Sequence, residues 1–405
     1  MKRREFLAAS AAAGMSLWLP GAAHARSGAA GPFAAGYDNL LILVELKGGN
    51  DGLNTVVPFA DPLYHRYRAN IGVRHDQAIQ LDERTALHPA LAPLMPMWRA
   101  RRLAIVQGVG YAQPNLSHFR STEIWDTASR PDQYLRDGWL ARAFANAPAP
   151  TGFATDGLVL GSAEAGPLAN GERVITLVDP ARLALASRLI TPTSLDEPDP
   201  TLAHLLDVER DILKVADRLR PRRSQQYALK TVFPPGLFGT SIKTAMQALA
   251  LGDTAHGVPV RGEGIAAIRL TLNGFDTHEN QPGRHAALLH QFAAGMVAMR
   301  DALIELGRWD RTMIVTYAEF GRSVRENPDR GTGHGTACAH FVAGGRVAGG
   351  LYGQAPQLAR LDGDGNLPAG VDFRQLYATV LGPWWGLDAR AVLQDRFQPL
   401  PILRA

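Results

Sequence analysis

Apolar, β-prone runs recur along this chain, and most of them end in glycine-containing turns. Leu40 to Leu46 is predicted to be a strand buried on both faces; it stops at Lys47 and breaks into Gly48-Gly49-Asn50-Asp51-Gly52. Leu103–Tyr111, Ile265–Leu272, Thr312–Tyr317 and His340–Gly344 read as further strands, with shorter ones at Leu158–Leu160 and Val174–Val178. Between them the apolar spacing changes to steps of three and four. Leu288, Phe292, Met296, Met299, Leu303 and Leu306 share one face of a helix expected over about 285–307, its methionines serving as core filler. An Asp-Pro start opens a helix at Asp61, and a Pro-interrupted helix covers Leu87–Arg102. Others are expected from near Ser117 through Ala128, over the amphipathic Leu202–Leu219, and over about Phe373–Leu381. Strands alternating with helices predict an α/β fold, doubly wound on a mostly parallel sheet. The stretch of about 145–255, richer in Pro and Ala, reads as a partly helical insertion rather than an independent domain.

The N-terminus reads as a targeting signal. Lys2-Arg3-Arg4-Glu5-Phe6-Leu7 is a twin-arginine n-region, an apolar segment runs from Leu7 to Leu19, and Ala23-His24-Ala25 offers a cleavage site. That segment is too short to serve as a stable membrane anchor. The expected layout is a signal peptide over 1–25, a lead-in over 26–39, and one domain over 40–400. The expected route is the twin-arginine translocase, to a periplasmic or secreted location. This route carries folded proteins, often with a metal or cofactor in place. Losing Lys2, Arg3, Arg4 and Glu5 lowers the formal charge from +4 to +2, and no Lys/Arg run interleaved with aromatics appears, so nucleic acid is not an expected partner. The single cysteine, Cys338, excludes an intrachain disulfide and any Cys-based zinc motif.

Candidate chemistry sits where the strands end. In a parallel sheet all carboxyl ends share one edge, so groups far apart in sequence can converge there. Asp51, Ser117-His118, Asp276-Thr277-His278, Glu319, and His334 within the loop Arg330–Thr336 all follow strands. Carboxylates and imidazoles with no lysine between them suit a divalent cation such as zinc, manganese or magnesium. Plainer roles fit most of these residues as well. Asp51 could serve an Asn-Asp-Gly turn, Asp276 and Ser117 could cap helices, and His118 could be a supporting or structural residue. Glu319 is harder to explain away, because a buried carboxylate needs a partner.

The segments GGNDGLNTVVPFADPLY, LDERTALHPALAPL, VQGVGYAQPNLSHFRSTEIW, GFDTHENQ, AEFGR and FRQLYATVLG together resemble an exported bacterial family known only as domain of unknown function 1501, over about 40–385. That family is grouped with the alkaline phosphatase and sulfatase superfamily, α/β sandwiches that hydrolyse phosphate or sulfate esters at a metal site. The resemblance implies a three-layer α/β/α sandwich. It further implies Asp51 as a metal ligand after the first strand, Ser117 near the nucleophile, and Asp276, His278 and His334 as the set holding one metal. Glu319-Phe320-Gly321 falls where many members carry Asp-His-Gly, and Phe320 cannot ligate. Asp276 and His278 are also closer in sequence than the usual pair, and Gly333 stands where an Asp is expected before the His. Arg120 and Arg322 are candidate clamps for a tetrahedral oxyanion, although Arg120 equally fits a salt bridge within its own helix. Two functions are compatible with this pattern. One is an exported metal-dependent hydrolase of small-molecule or envelope phosphate or sulfate esters, using a serine or a metal-bound water. The other is a non-catalytic exported binding or assembly protein on the same scaffold.

Overall fold

The computed structural model describes residues 36–178, 229–251 and 264–404. The signal sequence, its cleavage site and the Leu202–Leu219 segment lie outside these residues.

Leu40–Lys47 forms the strand its apolar run predicts and lies inside the main sheet, parallel to Ile265–Asn273 on one side and to Thr312–Tyr317 on the other. From edge to edge the order is Gly350–Gly353, Leu103–Gly110, Cys338–Ala343, Thr312–Tyr317, Leu40–Lys47, Ile265–Asn273, Thr155–Leu160 and Val174–Leu177. Among the described strands of this sheet, Cys338–Ala343 is the antiparallel one, and it opposes both its neighbours. Two reversals restore the direction, so Leu103–Gly110 points the same way as Thr312–Tyr317. Four strand ends carrying candidate residues therefore reach one edge of the sheet, and the antiparallel strand starts there, just after His334.

Alternation along the central strand sorts its side chains into two layers. Leu40, Ile42, Val44 and Leu46 pack with Leu289, Phe292, Met296, Met299 and Leu303 of the helix Gln281–Glu305, and with Ile242 and Met246 of Gly236–Leu251. Leu41 and Leu43 enter the opposite core, with Trp125 of His118–Thr127, Trp139 of Trp139–Asn146 and Tyr377 of Arg374–Thr379. Helices on both faces of a mostly parallel sheet make the α/β/α sandwich. The one charge within the Leu40–Leu46 run, Glu45, is buried with partners at Oε2: Arg269 Nη2 donates at 2.7 Å and Thr271 Oγ1 at 2.9 Å, while Arg269 Nε donates to the Tyr317 hydroxyl at 2.7 Å.

Two stretches differ from expectation. Leu87–Arg102 is a 3₁₀ segment, Pro89–Leu94, followed by a short α-helix, Met95–Arg99; Pro93 and Pro96 cannot donate the bonds that one continuous helix needs. The glycine-rich Arg330–Thr336 contains a strand, Thr332–His334, antiparallel to Arg322–Glu326 with His334 opposite Arg322. Within about 145–255, Thr155–Leu160 and Val174–Leu177 join the main sheet, the former pairing with Ile265–Asn273, and Gly236–Leu251 is helical.

Candidate metal centre

His118 opens the helix His118–Thr127, and Ser117 is its N-cap residue. The imidazole turns inward: Nδ1 lies 2.9 Å from Glu319 Oε1 and Nε2 lies 3.4 Å from Asp276 Oδ2. Glu319, buried just beyond the Thr312–Tyr317 strand, also accepts the backbone N–H of Gly48 on both oxygens, at 2.9 and 3.2 Å. Gly48 must be glycine here. Its φ is +112°, and a Cβ would fall 2.4 Å from the Asp276 backbone nitrogen.

His334 approaches from the hairpin. Its Nδ1 lies 2.7 Å from the Leu116 carbonyl oxygen, and its Nε2 lies 3.3 Å from Asp276 Oδ1. One ligand atom each from His118, Asp276 and His334 lie within 4.8 Å of one another. His278 stands beside them, Nε2 at 2.9 Å from Asp276 Oδ1 and 3.1 Å from His334 Nε2. Phe320 closes one wall, stacked on His334 with ring centroids 4.5 Å apart.

Hydrogen bonding decides which nitrogens face inward. A carbonyl or carboxylate at Nδ1 assigns the ring hydrogen to that nitrogen in both His118 and His334, which leaves the Nε2 lone pairs aimed at the Asp276 carboxylate. Asp276 is itself fixed by Arg322, whose Nη1 donates to Oδ1 at 2.8 Å. Burial pushes the Asp276 carboxyl up, but that is outweighed by the Arg322 hydrogen bond and charge with the neighbouring imidazoles, and its pKa is lowered overall. The Glu319 hydrogen bond raises the His118 pKa despite partial burial, whereas burial lowers that of His334. A carboxylate and lone-pair nitrogens converging on one point, each with its outer atom tied down, are a donor set that could hold a divalent cation.

Four residues singled out in the sequence, Asp276, His278, Glu319 and His334, meet at this centre. Asp51 is placed elsewhere. Its Oδ1 caps the turn Gly52–Thr55 by accepting Leu53 N–H at 3.2 Å and Asn54 N–H at 3.3 Å, while Oδ2 is bonded to Arg68 Nη1 and Gln281 Nε2. Against the push of burial, Arg68 and His285 keep the Asp51 pKa low. Both oxygens are thus committed within the fold. Asn50 is likewise taken up, accepting from Thr55 Oγ1 at 3.0 Å and lying 3.0 Å from His285 Nε2.

Both arginines are engaged within the fold. The Arg322 side chain is fully buried and also donates to the Thr332 carbonyl at 2.7 Å, so it positions Asp276. Arg120 pairs with Glu123 at 2.8 Å, donates to the backbone carbonyls of Pro131 and Gln133, and lies 3.8 Å from the centre of the Tyr134 ring; its helix salt bridge is the contact observed. Ser117 is exposed and its side chain makes no capping bond. His118, which the sequence places among the strand-end groups as a supporting or structural residue, instead brings a ligand atom to the cluster.

Residues 257–397 match the family described as "Protein of unknown function (DUF1501)", which bears out the resemblance over a stretch holding Asp276, His278, Glu319, Arg322 and His334. No curated protein matches. Among solved structures the chain is similar to a protein of the alkaline phosphatase superfamily from Vibrio parahaemolyticus, at 9% identity and TM-score 0.35, covering 80% of this chain and 64% of that one. It is also similar to the phosphonate monoester hydrolase SpPMH from Silicibacter pomeroyi, at 13% identity and TM-score 0.38, covering 86% and 74%. A third is the PsFucS1 sulfatase from Pseudoalteromonas sp., at 10% identity and TM-score 0.38, covering 90% and 70%. The chain thus spans just under two thirds of the length of the first of these.

Proposed function

We propose that this protein is an exported, metal-dependent hydrolase of phosphate or sulfate esters, with one divalent ion held by His118, Asp276 and His334. The supporting observation is the matched orientation of the two imidazoles: Glu319 and the Leu116 carbonyl occupy the Nδ1 atoms, and both Nε2 atoms face Asp276. Two imidazoles and one carboxylate suit zinc or manganese better than magnesium, and three protein ligands leave a position open. A divalent ion there would supply Lewis-acid polarisation of the ester and would acidify the nucleophile.

The chain's own groups do the remaining work. Glu319 holds the His118 ring, Arg322 holds Asp276, and Phe320 keeps water from one side of His334. A cleft of about 610 Å³ lined by His118, Asp276 and Glu319 admits the substrate. Ser117, exposed beside His118, offers the hydroxyl nucleophile, with water as the alternative. The twin-arginine n-region supports export to the periplasm or beyond, with the translocase as transient partner and the signal peptide removed. Among the described residues no helix is long and apolar enough to cross a membrane.

A non-catalytic binding or assembly role has its own support. Asp51 is committed to Arg68 and Gln281, and Phe320 offers no ligand atom, so neither serves a second metal here. Metal analysis of the purified protein and of Asp276→Ala and His334→Ala tests the site; bound metal in the wild type, lost in both variants, is the expected result. Wild type without divalent metal refutes the proposal. Given metal, hydrolysis of aryl phosphate, phosphodiester or sulfate separates the enzyme from the binding protein, and Ser117→Ala separates the serine from water.

A further inference from the structure

The cleft does not end at the metal centre. It continues along the helix His118–Thr127, where His118, Thr122 and Asp126, at steps of four, line its wall with Lys47 and Glu164 across from them. Asp126 lies two turns from His118, about 12 Å along the helix.

Asp126 is the unusual member of this wall. Its Oδ1 is buried and has no hydrogen-bond partner. The cations around it are already engaged: Lys47 Nζ pairs with Glu164 at 2.6 Å, and Arg269 pairs with Glu45 at 2.7 Å and with the Tyr317 hydroxyl. Glu45 and Glu164 are thus taken up by Arg269 and Lys47, Arg136 lines the same cleft, and Asp126 Oδ1 is left without a donor. A buried acceptor without a donor is costly, and a ligand that supplied one would remove that cost. Burial, opposed by Arg269 and reinforced by Glu45 and Glu164, pushes the Asp126 carboxyl up to about 8. At the mouth of the cleft Phe119 is 92% exposed, an apolar surface over which an aliphatic linker can lie.

We propose that Asp126 is the recognition residue for a cationic amine carried by the substrate, two helical turns from the ester group that the metal centre would act on. The position of the ester rests on the proposed hydrolase function; the amine site does not. Lys47–Glu164 flanks the amine, and Phe119 covers the chain between the two ends.

Calorimetry with 6-aminohexylphosphonate and hexylphosphonate, on the full-length protein loaded with zinc, tests this directly. The amine is expected to bind about tenfold more tightly, the scale of one charge-assisted hydrogen bond, and Asp126→Asn is expected to abolish that difference while hexylphosphonate binding stays unchanged. Asp126→Ser serves as a second variant, with melting curves showing that each folds. Equal affinities in the wild type, a preference that survives in the variants, or no binding of either compound overturns the proposal. Turnover of 4-nitrophenyl phosphate and metal content report separately on the hydrolase. An inert protein that still selects the amine would refute the enzyme alone, and an active one that ignores the amine would refute this site alone.

Discussion

His118 Nδ1 lies 2.9 Å from Glu319 Oε1, and that contact turns the opposite nitrogen toward Asp276. Glu319 reaches no other side chain of the cluster by a hydrogen bond, so its contribution passes through His118 and through the Gly48 backbone. Partners of this kind raise the basicity of a metal-binding imidazole and fix its ring. Glu319→Ala is expected to weaken zinc binding about 10–100-fold, with Glu319→Gln retaining more of the affinity. Competition against a chelating dye measures both. Unchanged affinity in Glu319→Ala would remove His118 from the ligand set.

Gly48 tests the same edge through the backbone. A methyl group there meets the Asp276 nitrogen at 2.4 Å, in a conformation of φ +112° that other residues rarely adopt. Gly48→Ala is expected to cost about 1–3 kcal/mol of stability and to shift Asp276, lowering metal affinity as well. Paired denaturation and metal titrations read the two effects; a loss of stability with metal affinity intact would separate the turn from the site.

Strand ends were legible in the sequence because buried strands leave a strong signal: Leu40–Leu46 and Thr312–Tyr317 are short apolar runs closed by polar turns, and both form as read. Side-chain partners were not. Asp51 fits an Asn-Asp-Gly turn locally and a metal ligand by its strand-end company and the family resemblance; its partners Arg68 and Gln281, 17 and 230 positions away, are what the sequence does not show. His118 carried the reverse problem. A histidine opening a helix is unremarkable until Glu319, 201 residues later, turns its ring. Apolar periodicity reports what faces the core, but the pairing of buried charges depends on tertiary contacts that leave no periodic trace.

The buried Asp51–Arg68 pair supplies an acid-dependent term in stability. A carboxyl whose folded pKa is depressed contributes stability above its unfolded value, near 4, and loses that contribution as pH falls through the lower folded value. Asp51→Asn leaves the buried Arg68 guanidinium without its counter-charge, at a cost of about 3–5 kcal/mol near neutral pH. The variant is expected to show a shallower loss of stability below about pH 4 than the wild type. Bound metal should be unchanged. Urea denaturation between acid and neutral pH, with metal analysis of the folded protein, checks each part; a loss of metal in a folded Asp51→Asn would return Asp51 to the metal site.

Asp126 has the opposite sign. Its carboxyl is pushed up to about 8 by burial, in a setting of Glu45 and Lys47 from the central strand, Arg269 from the neighbouring strand and Glu164 from the loop across the cleft. The folded state therefore holds a proton that the unfolded chain releases near pH 4, so stability declines as pH rises from about 4 toward 8 and levels off above it. Asp126→Asn removes the ionisation and is expected to flatten this slope, leaving the variant more stable than wild type at pH 8 and close to it near pH 4. Bound amine works in the same direction as the substitution, because an ammonium at Asp126 favours the charged carboxylate and restores stability on the alkaline side. Denaturation curves across this range, with and without 6-aminohexylphosphonate, read both effects. A wild-type slope that Asp126→Asn leaves intact would assign the pH dependence to another group.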